Sequence, residues 1–168
     1  MRVRTIDKAK LTRKEKDILL KTPLYERIGI TRNEFYNKDM MKPQERKFAR
    51  EFTKRGEKIK WILPEKRIVG KDRQPTNDFI WKKKEWELKS TLSKNIVSRT
   101  ILKKINKATD RGKRNIFIDC RGKCIDNKTL WKLSRYNISH FKRGVKERFV
   151  NNIVIWDNTG LKEIVLEK

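Results

Sequence analysis

The chain has 168 residues, room for one domain, or one domain with a small helical appendage, and enough to bury a core. Its 46 lysines and arginines against 21 acids give a formal charge of +25, beyond what solubility requires, and point to a polyanionic partner, nucleic acid first. No apolar run approaches about 18 residues and the start "MRVRTIDKAK" lacks an apolar core, so the expectation is a cytoplasmic chain with no membrane span and no export signal.

Two segments near the N-terminus open with capping boxes, Thr12 with Glu15 in "TRKEKDILL" and Thr31 with Glu34 in "TRNEFYNKDM". Residues 1 to 42 therefore read as a helical appendage of two short helices around "KTPLYERIG". The stretch "IGITRNEFYN" also looks like the turn and second helix of a helix-turn-helix, but the helix before it is poorly defined, which favours a packing role. Pro43 then starts a third helix with an apolar stripe of Phe48, Ala49 and Phe52, stopped by Gly56. "KIKWILP" alternates as a strand does, and "EKRIVGKDRQPT" reads as a loop. After a hairpin at Asn77 to Ser90, Ile96, Ile101, Leu102 and Ile105 mark a helix with a basic outer face. "NIFIDC" suits a buried strand, Asp126 caps a helix carrying Leu130, Trp131 and Leu133, and "FVNNIVIW", "DNTG" and "LKEIVLE" form a closing hairpin. The order predicts an α/β or α+β domain, residues 43 to 168, with a mixed central sheet flanked by helices.

Cys120 and Cys124 with one histidine, His140, are too few soft ligands for a structural zinc site, so the cysteines read as reduced structural thiols and His140 as a packed or solvated side chain. All five tryptophans (Trp61, Trp81, Trp86, Trp131, Trp156) read first as core or sheet packing rather than as base-stacking platforms.

The hairpin "NDFIWKKKEWELKS" carries the chemistry. With residues 77 to 82 and 85 to 89 as strands joined tightly at Lys83-Lys84, Trp81 lies opposite Trp86 and Phe79 opposite Leu88. Strand alternation then places Asp78, Glu87 and Lys89 on the other face, and a three-residue loop would separate Asp78 from Glu87. Two carboxylates and an ammonium on one surface suit phosphodiester hydrolysis, which needs an in-line hydroxide and positive charge on the phosphate oxygens. Spacing alone leaves this reading open beside that of a charged, solvated hairpin face. Glu85 is a weaker candidate because it adjoins the turn, and Asp119 at the end of "NIFID" reads as a strand terminator before it reads as a site residue. Lys82, Lys83, Lys84, Lys94, Arg99, Lys103 and Lys104 are candidate phosphate contacts, against the plainer alternative of a solvated basic face.

The segments "ERKFAREFTKRGEKIKWILP", "NDFIWKKKEWELKS" and "NIFIDC" together resemble the PD-(D/E)xK nuclease superfamily, the restriction-endonuclease-like fold. Within it they look most like the C-terminal nuclease domains of contact-dependent growth-inhibition and related polymorphic toxins, several of which are tRNA nucleases. The resemblance spans about residues 43 to 120; Asn77 stands where that signature has Pro before its first acid. It implies Asp78 and Glu87 as ligands of Mg²⁺ or Mn²⁺, Lys89 as the lysine that orients the attacking water and offsets phosphate charge, and Glu45 as the helix glutamate beside the metal. It further implies an RNA substrate, tRNA in particular, and an acidic immunity protein as partner. Two alternatives stand beside it: a DNA endonuclease of the same fold from a mobile element, and a basic nucleic-acid-binding module without catalysis.

Overall fold

The computed structural model describes residues 2–64, 76–91 and 98–168. Seven strands and seven helices are defined among them: β1 (Arg2–Ile6), α1 (Arg13–Lys21), α2 (Leu24–Arg27), α3 (Arg32–Tyr36), α4 (Pro43–Lys54), β2 (Ile59–Trp61), β3 (Phe79–Trp81), β4 (Lys84–Ser90), α5 (Ser98–Thr109), β5 (Asn115–Asp119), α6 (Asn127–Ser134), α7 (Tyr136–Lys142), β6 (Asn152–Asp157) and β7 (Gly160–Val165). This is an α+β fold with a seven-stranded mixed sheet in the order β1-β7-β6-β5-β4-β3-β2. The chain clusters into two compact units, Lys8–Glu85 and a second made of Met1–Asp7 with Trp86–Lys168. Among the described residues no helix is long and apolar enough to cross a membrane.

In the Lys8–Glu85 unit both capping boxes form. The Thr12 and Thr31 hydroxyls accept from the Glu15 and Glu34 amides at 3.2 Å, and each glutamate accepts back from the threonine amide at 2.7 and 2.8 Å. These reciprocal bonds satisfy amides that a helix start leaves orphaned, which is why two such short helices persist. α4 starts at Pro43 and ends before Gly56, whose φ of +96° is the left-handed geometry that glycine tolerates. Its inward stripe brings the Phe48 and Phe52 rings within 5.1 Å of each other, and Phe79 of β3 packs on both, at 5.3 and 6.4 Å. Trp61 stacks on Phe79 at 5.9 Å, and Trp81 donates from Nε1 to Glu57 at 2.8 Å. Each fully buried ring stabilises this core by roughly 1.5–3 kcal/mol.

The other unit is built on parallel β4, β5 and β6, with β7 antiparallel to β6 and β1 antiparallel to β7. One face carries Ile116, Ile118, Ile153, Ile155 and Ile164, covered by Ile101, Ile105 and Ala108 of α5, Leu130 and Leu133 of α6 and Tyr136 of α7. The Asp126 carboxylate caps α6 by accepting from the Thr129 amide at 2.7 Å.

Several expectations need correction. Residues 2 to 6 form a strand, not part of a helical segment: Val3 pairs with Ile164 and Ile6 with Leu161, partners far along the chain that no local pattern reveals. α2 and α7 add short helices that the sequence pattern did not mark. Trp131 is 48 % exposed with the Arg135 guanidinium 5.0 Å above it, because α6 buries Thr129, Leu130, Leu133 and Ser134 and residue 131 falls outside that stripe. The hairpin turn sits one residue earlier than expected, at Lys82-Lys83, with φ of +49° and +62°. Positive φ at both central positions is what a two-residue turn matched to strand twist demands, and it sets Trp81 against Lys84 rather than Trp86. Residues 65–75 of the expected loop over 65–76, and the helix start with Lys94 and Ile96, lie outside the described residues.

Candidate functional site

Residues of β4 alternate between the two faces of the sheet, and the parallel register with β5 fixes which is which. Glu87 pairs with Ile116 and Lys89 with Ile118, so both side chains lie on the helix-covered face; Trp86 and Leu88 lie on the other, where Trp86 meets Phe117 edge-on at 6.3 Å. A glutamate there is costly to bury unless paired. Glu87 is 6 % exposed, and its Oε1 accepts a hydrogen bond from Lys89 Nζ. Its Oε2 faces Lys113 Nζ at 3.9 Å, an ion pair longer than a hydrogen bond, and makes no hydrogen bond among the described residues. Lys113 is itself 6 % exposed and reaches this spot from the turn ahead of β5.

A third lysine completes the group. Lys104, on the flank of α5, donates to the Ser90 carbonyl at 2.6 Å. Burial, then repulsion from Lys89 and Lys107, holds its ammonium below the ordinary lysine range. One buried carboxylate thus stands between two lysines, with Lys104 close enough to Lys89 to repel it, an arrangement that can hold an anionic oxygen against Lys104 or Lys89 while Glu87 orients the Lys89 ammonium.

The other predicted residues divide as follows. Asp78 lies in the Lys8–Glu85 unit, half-buried, with its carbonyl accepting from the Ile62 amide at 2.9 Å. Glu45, in the same unit, uses Oε2 to cap α4, accepting from the Lys42 amide at 2.7 Å. Glu85 accepts from Asn77 Nδ2 at 2.7 Å. Lys82, Lys83 and Lys84 are exposed, and Lys82 Nζ sits 4.6 Å over the Trp81 ring. Arg99 and Lys103 are exposed on α5. Structure brings Glu87 and Lys89 together as alternation predicts, and adds Lys113, for which the sequence carries no signal beyond the basic run "RGKR" ahead of the strand.

Asp119 is tied to the residues just after its own strand. It lies on the face opposite Glu87, accepting from Arg121 Nε and Nη2 at 2.8 Å each, while that guanidinium stacks 4.3 Å over Trp156. His140 packs on Tyr136, its Nδ1 3.0 Å from the Tyr136 carbonyl. Burial pushes the Cys120 thiol up to about 12, with Asp157 and Asp119 adding to the effect, whereas Cys124 is exposed. Burial also raises the Asp157 carboxyl, but bonds from Thr159, Lys162 and the Ile125 amide outweigh it and leave it below the ordinary aspartate range.

Among the described residues no three His, Cys, Asp or Glu side chains group as a metal cradle. A cradle of that size is a poor criterion for Mg²⁺, which takes one or two carboxylates and completes its octahedron with water and phosphate oxygens. By that measure the donor chemistry of Glu87 fits, through an oxygen that no hydrogen bond occupies among the described residues. Comparison of the chain with protein-family models, with curated proteins and with solved structures finds no match.

Proposed function

We propose that this chain is a divalent-metal-dependent nuclease of restriction-endonuclease-like architecture that hydrolyses RNA, tRNA in particular, as a toxin or effector. The observation that carries the reading is Glu87: a buried carboxylate bound by Lys89 on one oxygen and, among the described residues, facing only the longer Lys113 ion pair on the other, in a chain of charge +25. Glu87 would hold Mg²⁺ or Mn²⁺, which when bound supplies an acidified water and charge on the phosphate, and the family resemblance supplies Asp78 as its second ligand. Lys89, hydrogen-bonded to Glu87, offsets charge on the non-bridging oxygens. Lys113 holds the Glu87 side chain in place. The exposed Lys82, Lys83, Lys84, Arg99 and Lys103 bind backbone phosphates without reading sequence. The RNA substrate, the toxin role and an acidic immunity partner draw their support from the family resemblance together with the charge.

A second reading is favoured by the same carboxylate seen differently. Neutralised by two lysines, Glu87 would be a structural counter-ion inside a nucleic-acid-binding surface without catalysis. Incubating purified protein with total RNA and with plasmid, in Mg²⁺ and in chelator, separates the possibilities. RNA cleavage in Mg²⁺ alone supports the proposal, plasmid cleavage alone replaces it with a DNA endonuclease, and binding without cleavage of either in any divalent metal supports the second reading.

A further inference from the structure

A cavity of about 330 Å³ opens in the Lys8–Glu85 unit where the end of α1, α2, α3 and α4 meet, and none of its residues is used by the chemistry above. Its volume is that of a small-ligand site. Four of its lining side chains are cations, Lys21, Arg27, Arg50 and Lys54, and among the described residues no carboxylate lines it. Two tyrosines, Tyr25 and Tyr36, complete the wall; Tyr36 is 63 % exposed, with Phe35 edge-on to its ring at 5.3 Å and the Arg32 guanidinium 6.0 Å over it.

Arg27 shows how the site is built. Its Nε donates to the Thr22 carbonyl at 2.7 Å, fixing the guanidinium plane. Its Nη1 is buried and has no hydrogen-bond partner among the described residues. Leaving a charged donor buried and unmatched is expensive, and like charges drawn together make it worse. Burial, then the neighbouring Arg50, holds the Arg27 guanidinium below its ordinary range, which an anion in the cavity would reverse. Arg50 and Lys54 stand one turn apart on α4, so both reach the same side of the cavity.

Cations alone would suit any anion. Aromatic rings beside a fixed guanidinium suit a planar base joined to a phosphate, since every base has a face to stack and each phosphate accepts from a guanidinium fork. We propose that this cavity binds a nucleoside monophosphate group, with the phosphate on Arg27, Arg50 and Lys54 and the base against Tyr36, either as a free nucleotide or as one unit of a single strand.

Isothermal titration of the full chain with AMP, adenosine and inorganic phosphate tests this. One saturable site is expected for AMP, with affinity at least about tenfold above that for phosphate or adenosine. Arg50→Gln with Lys54→Gln, both exposed, should weaken AMP about tenfold or more, and Tyr36→Ala should weaken AMP but not phosphate. Lys128→Gln with Lys142→Gln removes the same charge elsewhere and should change AMP affinity by less than about twofold. An RNA pentanucleotide that displaces AMP assigns the cavity to a strand, and one that does not assigns it to a free nucleotide. Absence of saturable AMP binding overturns the proposal. So does equal affinity for AMP and phosphate, or a control pair as damaging as the pocket pair.

Discussion

Glu87→Gln keeps the shape of the side chain and removes its charge from beside Lys89 and Lys113. Removing one partner of a buried ion pair costs about 3–5 kcal/mol, because the remaining charge stays desolvated. The Lys89 side chain is 22 % exposed and can turn its ammonium towards water, whereas Lys113, at 6 %, has little room to do so. The loss should therefore sit near the lower end, about 3 kcal/mol. For a chain of this size 1 kcal/mol moves Tm by about 2–4 °C, so thermal denaturation followed by circular dichroism at pH 7 should report a fall of about 6–12 °C. Adding Lys113→Met to the variant should recover part of that loss, a coupling of at least about 1 kcal/mol in the double-mutant cycle. A fall under about 2 °C, or additive effects of the two substitutions, would refute the view that this carboxylate holds the lysines together.

Asp157→Asn should cost about 2–3 kcal/mol at pH 7, from the charged hydrogen bond to Lys162. The folded-state carboxyl is depressed, so its contribution is present above the unfolded value and lost as pH falls through the folded one; denaturant melts from pH 7 to pH 2 should show the two proteins converging below about pH 4. Gly56→Ala should destabilise by about 1–3 kcal/mol, since the new Cβ would lie 2.7 Å from Ala9 Cβ at a left-handed φ; urea unfolding measures it, and an unchanged midpoint contradicts the packing. One thiol, Cys124, should react with a thiol reagent at pH 8 in the native protein and two after denaturation, because burial holds Cys120 protonated up to about 12.

What the sequence made legible was what neighbours decide. Thr12 with Glu15, Thr31 with Glu34, Pro43 and Gly56 act within a turn or two of themselves, and the helix ends fall where those residues place them. Alternation likewise joined Glu87 to Lys89. The turn slipped by one residue because three consecutive lysines offer no glycine or asparagine to mark where φ turns positive. β1 escaped notice because "RVRTI" becomes a strand only through Val165 and its neighbours at the far end of the chain. Lys113 was out of reach for the same reason: its place beside Glu87 comes from the parallel register of β4 and β5, not from any spacing along the chain. Trp131 misled because apolar character does not say which side of an eight-residue helix faces in.

The central claim turns on whether Lys89 does chemistry or only pairs with Glu87. Single-turnover cleavage of RNA in Mg²⁺ should be measured for the wild type and for Lys89→Met, with RNA binding measured on the same samples. The account predicts a cleavage rate lower by about 10²–10³ with binding changed only a few-fold. A variant that cleaves as fast as the wild type, or one whose cleavage falls only in proportion to its binding, would contradict it.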